Sequence, residues 1–342
     1  MRIFLVYNPL PNYTISHSVN LMHEQFNLLE DKYVKMFDLK SRDLSREFYK
    51  ISVEKKQDFN NHELLQKYIL ENTVKPGKII FFGRYFLTKK FLFDEKFVLK
   101  MKEKHEVLLW LDDLQKLFQN EVLRPENFNK SQNLLKSKTI HLIDKFITPS
   151  IIFFKNINSP LLEKTIFQFY SINSHDFKTI KPFHQRINKI LLSGYIDSSY
   201  KSRSKILKLY KTKKKYQEKI HYHQHPGYGK GNADPHYFET LQNYKYAFIG
   251  LVNYPMNYCI SKIIETLACG TLAFIEFSPL LKEELGLIAY QHYIPVYQNT
   301  DLINVLNCFK NGKDKIIAEN ARNYILVNFD FKIKILELIR KI

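Results

Sequence analysis

Two stretches of the sequence decide the fold: YKYAFIG at residues 244–250 and, after a loop, ISKIIETLACGTLAFIE at residues 260–276. The first contains a short apolar run that predicts a strand over 246–249. The second begins with apolar residues spaced i, i+3, i+4, i+7 and i+8, as in a helix with one buried face: Ile260, Ile263, Ile264, Leu267 and Ala268. Gly270 stands where a helix end favours positive φ, and a second buried strand is predicted over 272–275. The order strand, helix, strand predicts a right-handed parallel unit.

Three polar residues of this unit point to an anionic ligand. Ser261 and Lys262 fall in the first helical turn, at the carboxyl end of the preceding strand, where open α/β sheets bind ligands. A cation there opposes the helix dipole unless a phosphate group lies between the backbone N–H groups and the ammonium. Glu265, one turn later, could accept hydrogen bonds from both hydroxyls of a ribose. An ordinary amphipathic helix with hydrated Lys262 and Glu265 fits the same spacing equally well.

The pattern S-K-x-x-E-x-L-A-C-G-x-x-x-F between two strands resembles the donor-binding region of glycosyltransferases of the GT-B type, and most closely their group-1-like branch. The Tyr-Lys-Tyr strand at 244–246 is also similar to a strand of fucosyltransferases and exostosin-like enzymes. The resemblance covers roughly residues 188–310. It departs at Asn257, where many retaining members carry a Glu paired with Glu265, and at Ser261, where fucosyltransferase-like members have Glu. The donor sugar and the stereochemistry therefore stay open.

The resemblance implies an α/β protein with two Rossmann-like domains that face each other across a cleft. We expect an N-terminal acceptor domain over 1–180 and a C-terminal nucleotide-sugar domain over 188–320. A helical region at 321–342 should cross back and pack on the first domain, and the polar stretch 173–187 is the expected linker. Strands alternate with helical patterns, which favours parallel sheets covered by helices. The other predicted strands span residues 2–7, 33–39, 78–82, 107–111, 139–143, 150–154, 167–172, 189–194 and 292–296.

For the donor, the resemblance implies a site built by the second domain. A glycine after strand 189–194 would let the backbone approach the phosphates, and a basic residue of the next helix would help to neutralise them. We therefore expect no metal requirement and no cofactor besides the nucleotide-sugar co-substrate. The residues implied in donor binding are Gly194, Arg203, Asn257, Tyr258, Ser261, Lys262 and Glu265.

For the acceptor, the candidates lie in the first domain. Asp112 and Asp113 follow a predicted strand and are the candidate catalytic residues, one of them acting as the base of an inverting transfer. Arg84, which follows another predicted strand, is the candidate acceptor-binding residue. Adjacent carboxylates could instead hold a divalent ion, and Asp112 could be a simple helix cap.

The composition gives a formal net charge of +18, supplied mostly by lysine. Nucleic acid and anionic membrane are the usual partners of such charge. An AT-rich coding sequence accounts for much of it, and direct base readout depends on arginine, so a nucleic-acid partner is disfavoured. The run at 211–215 is either a hydrated helix end or a patch for anionic lipid or phosphate acceptors. His221, His223 and His225 could share one strand face, but no Cys or carboxylate completes a zinc site at a suitable spacing.

Two further features bear on localisation. No apolar run approaches the roughly 20 residues of a membrane span, and residues 1–7 look like a first strand and not a secretory signal. The three cysteines, Cys259, Cys269 and Cys308, lack metal-ligand spacing and suggest a reducing compartment. We expect a cytoplasmic protein, and the second interpretation of the run at 211–215 adds peripheral contact with an anionic membrane.

The resemblance to GT-B glycosyltransferases implies a hexosyl- or pentosyltransferase that uses a UDP- or GDP-linked sugar. Its acceptor would be a glycan, a lipid or a protein. Two alternatives remain at this point. A non-catalytic nucleotide-sugar-binding protein would keep Lys262 and Glu265 without an acceptor base, and a nucleic-acid-modifying sugar transferase would use the positive charge for its acceptor.

Overall fold

A computed structural model describes part of the chain, and the structural statements below concern that part alone. The described residues divide between two compact units, the first ending at Gln168 and the second running from Phe169 to Ile342. They are residues 3–7, 34–38, 66–67, 69–71, 73–82, 94–111, 138–151, 155, 160–194, 196, 200–224, 237–251, 258–297, 302–308 and 312–342.

The first unit contains a six-stranded parallel sheet in the order β2-β1-β3-β4-β5-β6. Its strands are β1 (Ile3–Tyr7), β2 (Val34–Asp38), β3 (Gly77–Phe82), β4 (His105–Trp110), β5 (Lys145–Thr148) and β6 (Thr165–Phe167). Helix α1 (Glu95–Lys102) begins where the Asp94 side chain accepts a hydrogen bond from the Phe97 N–H. Helix α2 (Lys138–Leu142) precedes β5.

The second unit contains a five-stranded parallel sheet in the order β11-β10-β9-β7-β8. Its strands are β7 (Ile187–Gly194), β8 (Ile220–Gln224), β9 (Tyr244–Ile249), β10 (Leu272–Glu276) and β11 (Ile294–Val296). Its described helices are α3 (Lys201–Thr212), α4 (Lys214–Lys219), α5 (Tyr237–Asn243), α6 (Lys262–Ala268), α7 (Leu280–Glu283), α8 (Leu302–Cys308), α9 (Lys313–Asn328) and α10 (Phe331–Lys341).

The strand order of the second sheet fixes where a ligand can bind. After β7 the chain turns to one side to form β8, and then returns to the other side of β7 to form β9. The chain passes from β7 to one side of the sheet and from β9 to the other, so the carboxyl ends of these two strands form a topological switch point. Open α/β sheets bind ligands at this switch point.

The central strands of the second sheet are buried on both faces, as expected of a parallel sheet covered by helices. One core cluster joins side chains of β7, β9 and β10 with Ile206 of α3 and Ile317 of α9; its strand members include Leu192, Phe248 and Phe274. Removing a large apolar side chain from such a core costs about 2–5 kcal/mol. This packing holds the carboxyl edge of the sheet in place.

The structure confirms the unit predicted around residue 264. The predicted strands are β9 and β10, the predicted helix is α6, and Gly270 has a φ of +66°. The wider expectation of an α/β protein with two parallel sheets is also confirmed.

Two strand predictions were wrong. Residues 139–142 lie in helix α2, and Ile143 directly follows it. Ile140 and Ile143 are buried three positions apart, a spacing that suits a helical face better than a strand. The strand comes later, at β5. The strand predicted over 167–172 begins at Thr165 and ends at Phe167, and Ile172 instead exchanges backbone hydrogen bonds with Phe329 and Phe331.

The expected linker at 173–187 is anchored to the second unit. It contains two short 3-10 turns, Ser174–Phe177 and Phe183–Gln185. Arg322 of α9 donates a hydrogen bond to the Phe177 carbonyl at 2.6 Å, and Arg186 donates one to the Gly270 carbonyl at 2.8 Å. The division between the units thus precedes the stretch at which we expected it.

Residues 169–180, which we expected in the first domain, group with the second unit. The terminal region 321–342 groups there too, and its expected packing on the first domain stays a prediction.

Candidate functional site

The candidate site lies at the carboxyl ends of β7 and β9, the switch point of the second sheet. Gly194 ends β7 with a φ of +98°, a conformation that L-residues rarely adopt. Two cationic side chains reach its Cα. A Cβ built on Gly194 would lie 2.5 Å from Lys262 Nζ and 3.2 Å from Arg203 Nη1. The glycine therefore leaves room for both cations beside the backbone.

Lys262 is the first residue of helix α6 and is partly buried. Its Nζ donates a hydrogen bond to Ser193 Oγ at 3.2 Å and lies 5.5 Å from the centre of the Tyr237 ring. A ring face attracts a nearby cation. These contacts hold the ammonium at the carboxyl end of β7.

Arg203, in the first turn of α3, forms the floor of the site. Its side chain is buried, with 2% exposed. Nη2 donates to the Gly250 carbonyl at 2.8 Å, and the guanidinium lies 3.9 Å from the centre of the Tyr200 ring. Gly250 permits this approach, because a Cβ there would lie 2.5 Å from Ser202 Oγ and 2.7 Å from Arg203 Cγ.

The two cations perturb the electrostatics of the site. Burial, and then the charge of Arg203, lower the pKa of Lys262 to about 7. Burial also lowers the pKa of Arg203. Two neighbouring cations with lowered pKa values favour the binding of an anion, which would stabilise the charged form of both. A phosphate group has the charge and the hydrogen-bond acceptors that such a site requires.

Glu265 lies one turn after Lys262 on α6 and is buried, with 5% exposed. Burial raises its pKa to about 7, while Lys262 and a hydrogen bond from the Ser261 hydroxyl act in the opposite direction. Ser261 thus bonds to Glu265 instead of capping the helix. Because α6 has only seven residues, the positive charge of the site comes mainly from side chains and not from the helix dipole.

Our sequence reasoning missed the residue that holds α3 against the sheet edge. Glu276, the last residue of β10, accepts hydrogen bonds from Ser202 Oγ at 2.7 Å and from the Leu251 N–H at 2.9 Å. It thereby fixes the turn that carries Arg203. Its position directly after the predicted strand 272–275 was an available signal. Tyr237 was also missed, and it follows no local pattern that marks a site.

The structure brings together six of the seven residues predicted to bind the donor. They are Gly194, Arg203, Tyr258, Ser261, Lys262 and Glu265; Tyr258 is buried, and its phenol acts electrostatically on Arg203. The remaining predictions lie outside the described residues: the donor residue Asn257, the catalytic candidates Asp112 and Asp113, and the acceptor candidate Arg84.

The histidines weighed as zinc ligands show no metal arrangement in the described part of the chain, where no group of three or more His, Cys, Asp or Glu could hold an ion. The His221 ring stacks on Tyr244 with a centroid distance of 5.2 Å, and His225 lies outside the described residues. Within the same part of the chain, each helix is too short or too polar to cross a membrane.

Solved structures similar to this chain are glycosyltransferases of the GT-B type. Sucrose-phosphate synthase from Thermosynechococcus elongatus aligns with a TM-score of 0.62 and 12% identity over 100% of this chain and 98% of that one. HepE from Anabaena, in complex with UDP-glucose, aligns with a TM-score of 0.58 and 12% identity over 99% of both chains. A glycosyltransferase from Rickettsia africae aligns with a TM-score of 0.58 and 13% identity over 99% of this chain and 97% of that one.

These matches concern structure alone. The sequence matches no protein-family model and no curated protein. At 12–13% identity the likeness shows the fold, and it extends over almost the whole length of both chains. The chain therefore has the two-domain α/β fold of the GT-B glycosyltransferases.

Proposed function

We propose that the protein is a glycosyltransferase that takes a sugar from a nucleoside-diphosphate sugar. The observation that carries the proposal is the meeting of Lys262 and Arg203 at Gly194, on the switch point of the second sheet. Further support comes from HepE, which shares the fold and whose structure contains UDP-glucose. Both a UDP-linked and a GDP-linked donor fit the proposal.

In this proposal Lys262 contacts the diphosphate, because its side chain is only partly buried and its Nζ can move from Ser193 Oγ to a phosphate oxygen. Arg203 is a positioning residue. It is held by the Gly250 carbonyl and the Tyr200 ring, and its charge acts on the diphosphate from beneath Gly194. As the bond between the sugar and the diphosphate breaks, negative charge grows on the leaving group. Fixed cations stabilise that charge without reorganising.

Glu265 is assigned to the ribose of the donor. It lies on the same helix as Lys262, one turn further along. A buried carboxylate that meets two adjacent hydroxyls accepts a hydrogen bond from each. Tyr258 and Asn257 would help to orient the nucleoside and the sugar.

The acceptor side of the reaction rests on the sequence. An acceptor oxygen attacks the anomeric carbon while the bond to the diphosphate breaks, and a base takes the acceptor proton in an inverting transfer. Asp112 or Asp113 is the proposed base, and Arg84 is the proposed acceptor-binding residue. The acceptor is a glycan, a lipid or a protein.

A donor screen by thermal unfolding tests the proposal. A ligand that binds the folded state raises its unfolding free energy by about 2.7 kcal/mol at a concentration one hundred times its Kd. We expect at least one UDP- or GDP-sugar to raise the melting temperature, and slow hydrolysis of that donor to follow. Stabilisation without hydrolysis or transfer would indicate a nucleotide-sugar-binding protein. Failure of all donors and of both free nucleotides to stabilise the protein would contradict the proposal.

Glu265→Ala should remove the preference of the protein for a ribonucleotide. The wild type should bind UDP about 10- to 100-fold more tightly than 2′-deoxy-UDP, because a hydrogen bond to a charged group contributes about 1.5–3 kcal/mol. Glu265→Ala should bind the two ligands equally, as measured by calorimetry. The matched control is Glu283→Ala, which removes an exposed carboxylate of α7 and should keep the preference. An unchanged preference in Glu265→Ala would remove Glu265 from the ribose site.

Transfer should not require a metal, because Lys262 and Arg203 already supply positive charge for the diphosphate. Once a donor is found, activity measured with and without EDTA should be equal. Activity that is lost in EDTA and returns with Mn²⁺ or Mg²⁺ would contradict this expectation. It would favour Asp112 and Asp113 as ligands of a divalent ion.

A further inference from the structure

The outer face of helices α3 and α4 is strongly basic. We call the lysines of this segment the basic helical surface: Lys201, Lys205, Lys208, Lys211, Lys213, Lys214, Lys215 and Lys219. Seven of the eight are exposed, and Lys219 is partly buried. Residues 201–219 contain one acidic residue, Glu218, whereas the whole chain has 34 acidic for 52 basic residues. The segment is therefore far more basic than the composition of the chain requires.

The helix geometry places the lysines of α3 on one side of that helix. Lys201, Lys205 and Lys208 follow the spacing i, i+4 and i+7 of a single helical stripe. The opposite side of the segment is buried through Ile206 of α3 and Tyr216 of α4, with 5% and 3% exposed. The sheet thus holds the lysines outward as a fixed surface.

We propose that the basic helical surface docks the protein on an anionic lipid surface. Clusters of four to eight lysines on a helix are typical of segments that bind anionic headgroups, and each lysine near such a surface adds about fivefold to the partition coefficient. Lipid is favoured over nucleic acid because the exposed positive charge of the segment is entirely lysine. The one arginine of the segment, Arg203, is buried in the donor site.

Docking through this face also bears on the acceptor. Arg203 lies in the first turn of α3, so the helix that carries the basic helical surface also carries part of the donor site. A protein held on a membrane by α3 would have its donor site close to the lipid surface. This inference about the acceptor rests on the proposed function. Of the three acceptor classes, a glycan, a lipid or a protein, it favours a lipid-borne acceptor.

Sedimentation with lipid vesicles tests the docking. The probes are vesicles of phosphatidylcholine alone and vesicles with about one-third phosphatidylglycerol. The wild type should bind the second kind alone and be released by salt, since screening weakens exposed charges. A variant with four exposed lysines neutralised should bind at least about 100-fold more weakly: Lys208→Gln, Lys211→Gln, Lys213→Gln and Lys214→Gln. The matched control loses the same charge elsewhere on the second unit: Lys178→Gln, Lys282→Gln, Lys313→Gln and Lys315→Gln.

The controls separate the outcomes. Equal losses in both quadruple variants would show that net charge and not this surface binds lipid, and would overturn the proposal. Failure of the wild type to bind the anionic vesicles at low salt would also overturn the proposal. So would tight binding of RNA or DNA by a protein that binds neither kind of vesicle. If the quadruple variant misfolds, the release of the wild type from anionic vesicles by salt still tests whether exposed charge holds the protein on lipid. Thermal stabilisation of the quadruple variant of the basic helical surface by UDP or GDP reports the donor site separately, so the two proposals can fail independently.

Discussion

Replacing Lys262 with alanine is expected to weaken the binding of UDP and GDP by about 10- to 100-fold, because a hydrogen bond to a charged group contributes about 1.5–3 kcal/mol. The variant should stay folded, since Lys262 lies beside Arg203 and like charge is removed. Calorimetric titration measures both affinities. The matched control is Lys245→Ala, which removes another partly buried lysine of the same unit, one whose Nζ lies 5.7 Å from the Phe183 ring. Unchanged affinity for both nucleotides in Lys262→Ala would exclude the proposed role.

The pH dependence of this binding gives a second readout of Lys262. Burial lowers the pKa of its ammonium to about 7, and the ammonium is the form that attracts a diphosphate. The charged fraction of the free protein falls as pH rises through that value. The affinity of the wild type for UDP should therefore fall between about pH 7 and pH 9, with proton uptake on binding. Lys262→Ala should lose this fall in affinity, and any change that remains over the same range would come from Glu265, whose pKa burial also raises to about 7.

Gly194→Ala is expected to abolish donor binding. The new Cβ would lie 2.5 Å from Lys262 Nζ and 3.2 Å from Arg203 Nη1, so at least one cation must move. The φ of +98° adds strain, since an L-residue in the left-handed region costs about 1–2 kcal/mol. We expect the affinity for UDP and GDP to fall by more than about 100-fold, the combined effect of strain and displaced charge. A fall in melting temperature should accompany it.

Gly312→Ala separates the two effects of that substitution. Gly312 has a φ of +87°, but a Cβ there would meet no atom within 4 Å. Gly312→Ala therefore introduces the same kind of backbone strain as Gly194→Ala but displaces no cation. We expect a similar loss of melting temperature and no loss of nucleotide affinity. Normal nucleotide binding by Gly194→Ala, or equal losses of affinity in both variants, would show that the contacts at Gly194 do not form the site.

The fold was predictable where the signals are local. The apolar run before Gly250 and the helical spacing from Ile260 to Ala268 need no information from the rest of the chain. Gly270 is another such signal, because its positive φ follows from its place at a helix end. Residues 139–143 show the limit of this reasoning. A short apolar run fits both helix and strand. The burial of Ile140 and Ile143, three positions apart, is the pattern of a helical face and is known only from the structure.

The site was predictable only in part, because its contacts join distant segments. Lys262 and Ser193 are 69 residues apart, and no local pattern states that they meet. The sequence placed Arg203 on a basic helix with Lys201 and Lys205. Successive helical residues differ by about 100° in direction, so Arg203 points inward and the two lysines point outward. Glu276 holds α3 through a bond to Ser202 across 74 residues, which the sequence does not show.

A crystal structure with UDP or GDP bound tests the central claim most directly. The account predicts diphosphate density at the switch point of the second sheet, with a phosphate oxygen within hydrogen-bond distance of Lys262 Nζ and close to the backbone of Gly194. It also predicts that the ribose hydroxyls face Glu265. A nucleotide bound elsewhere, or a diphosphate that Lys262 does not contact, would contradict it.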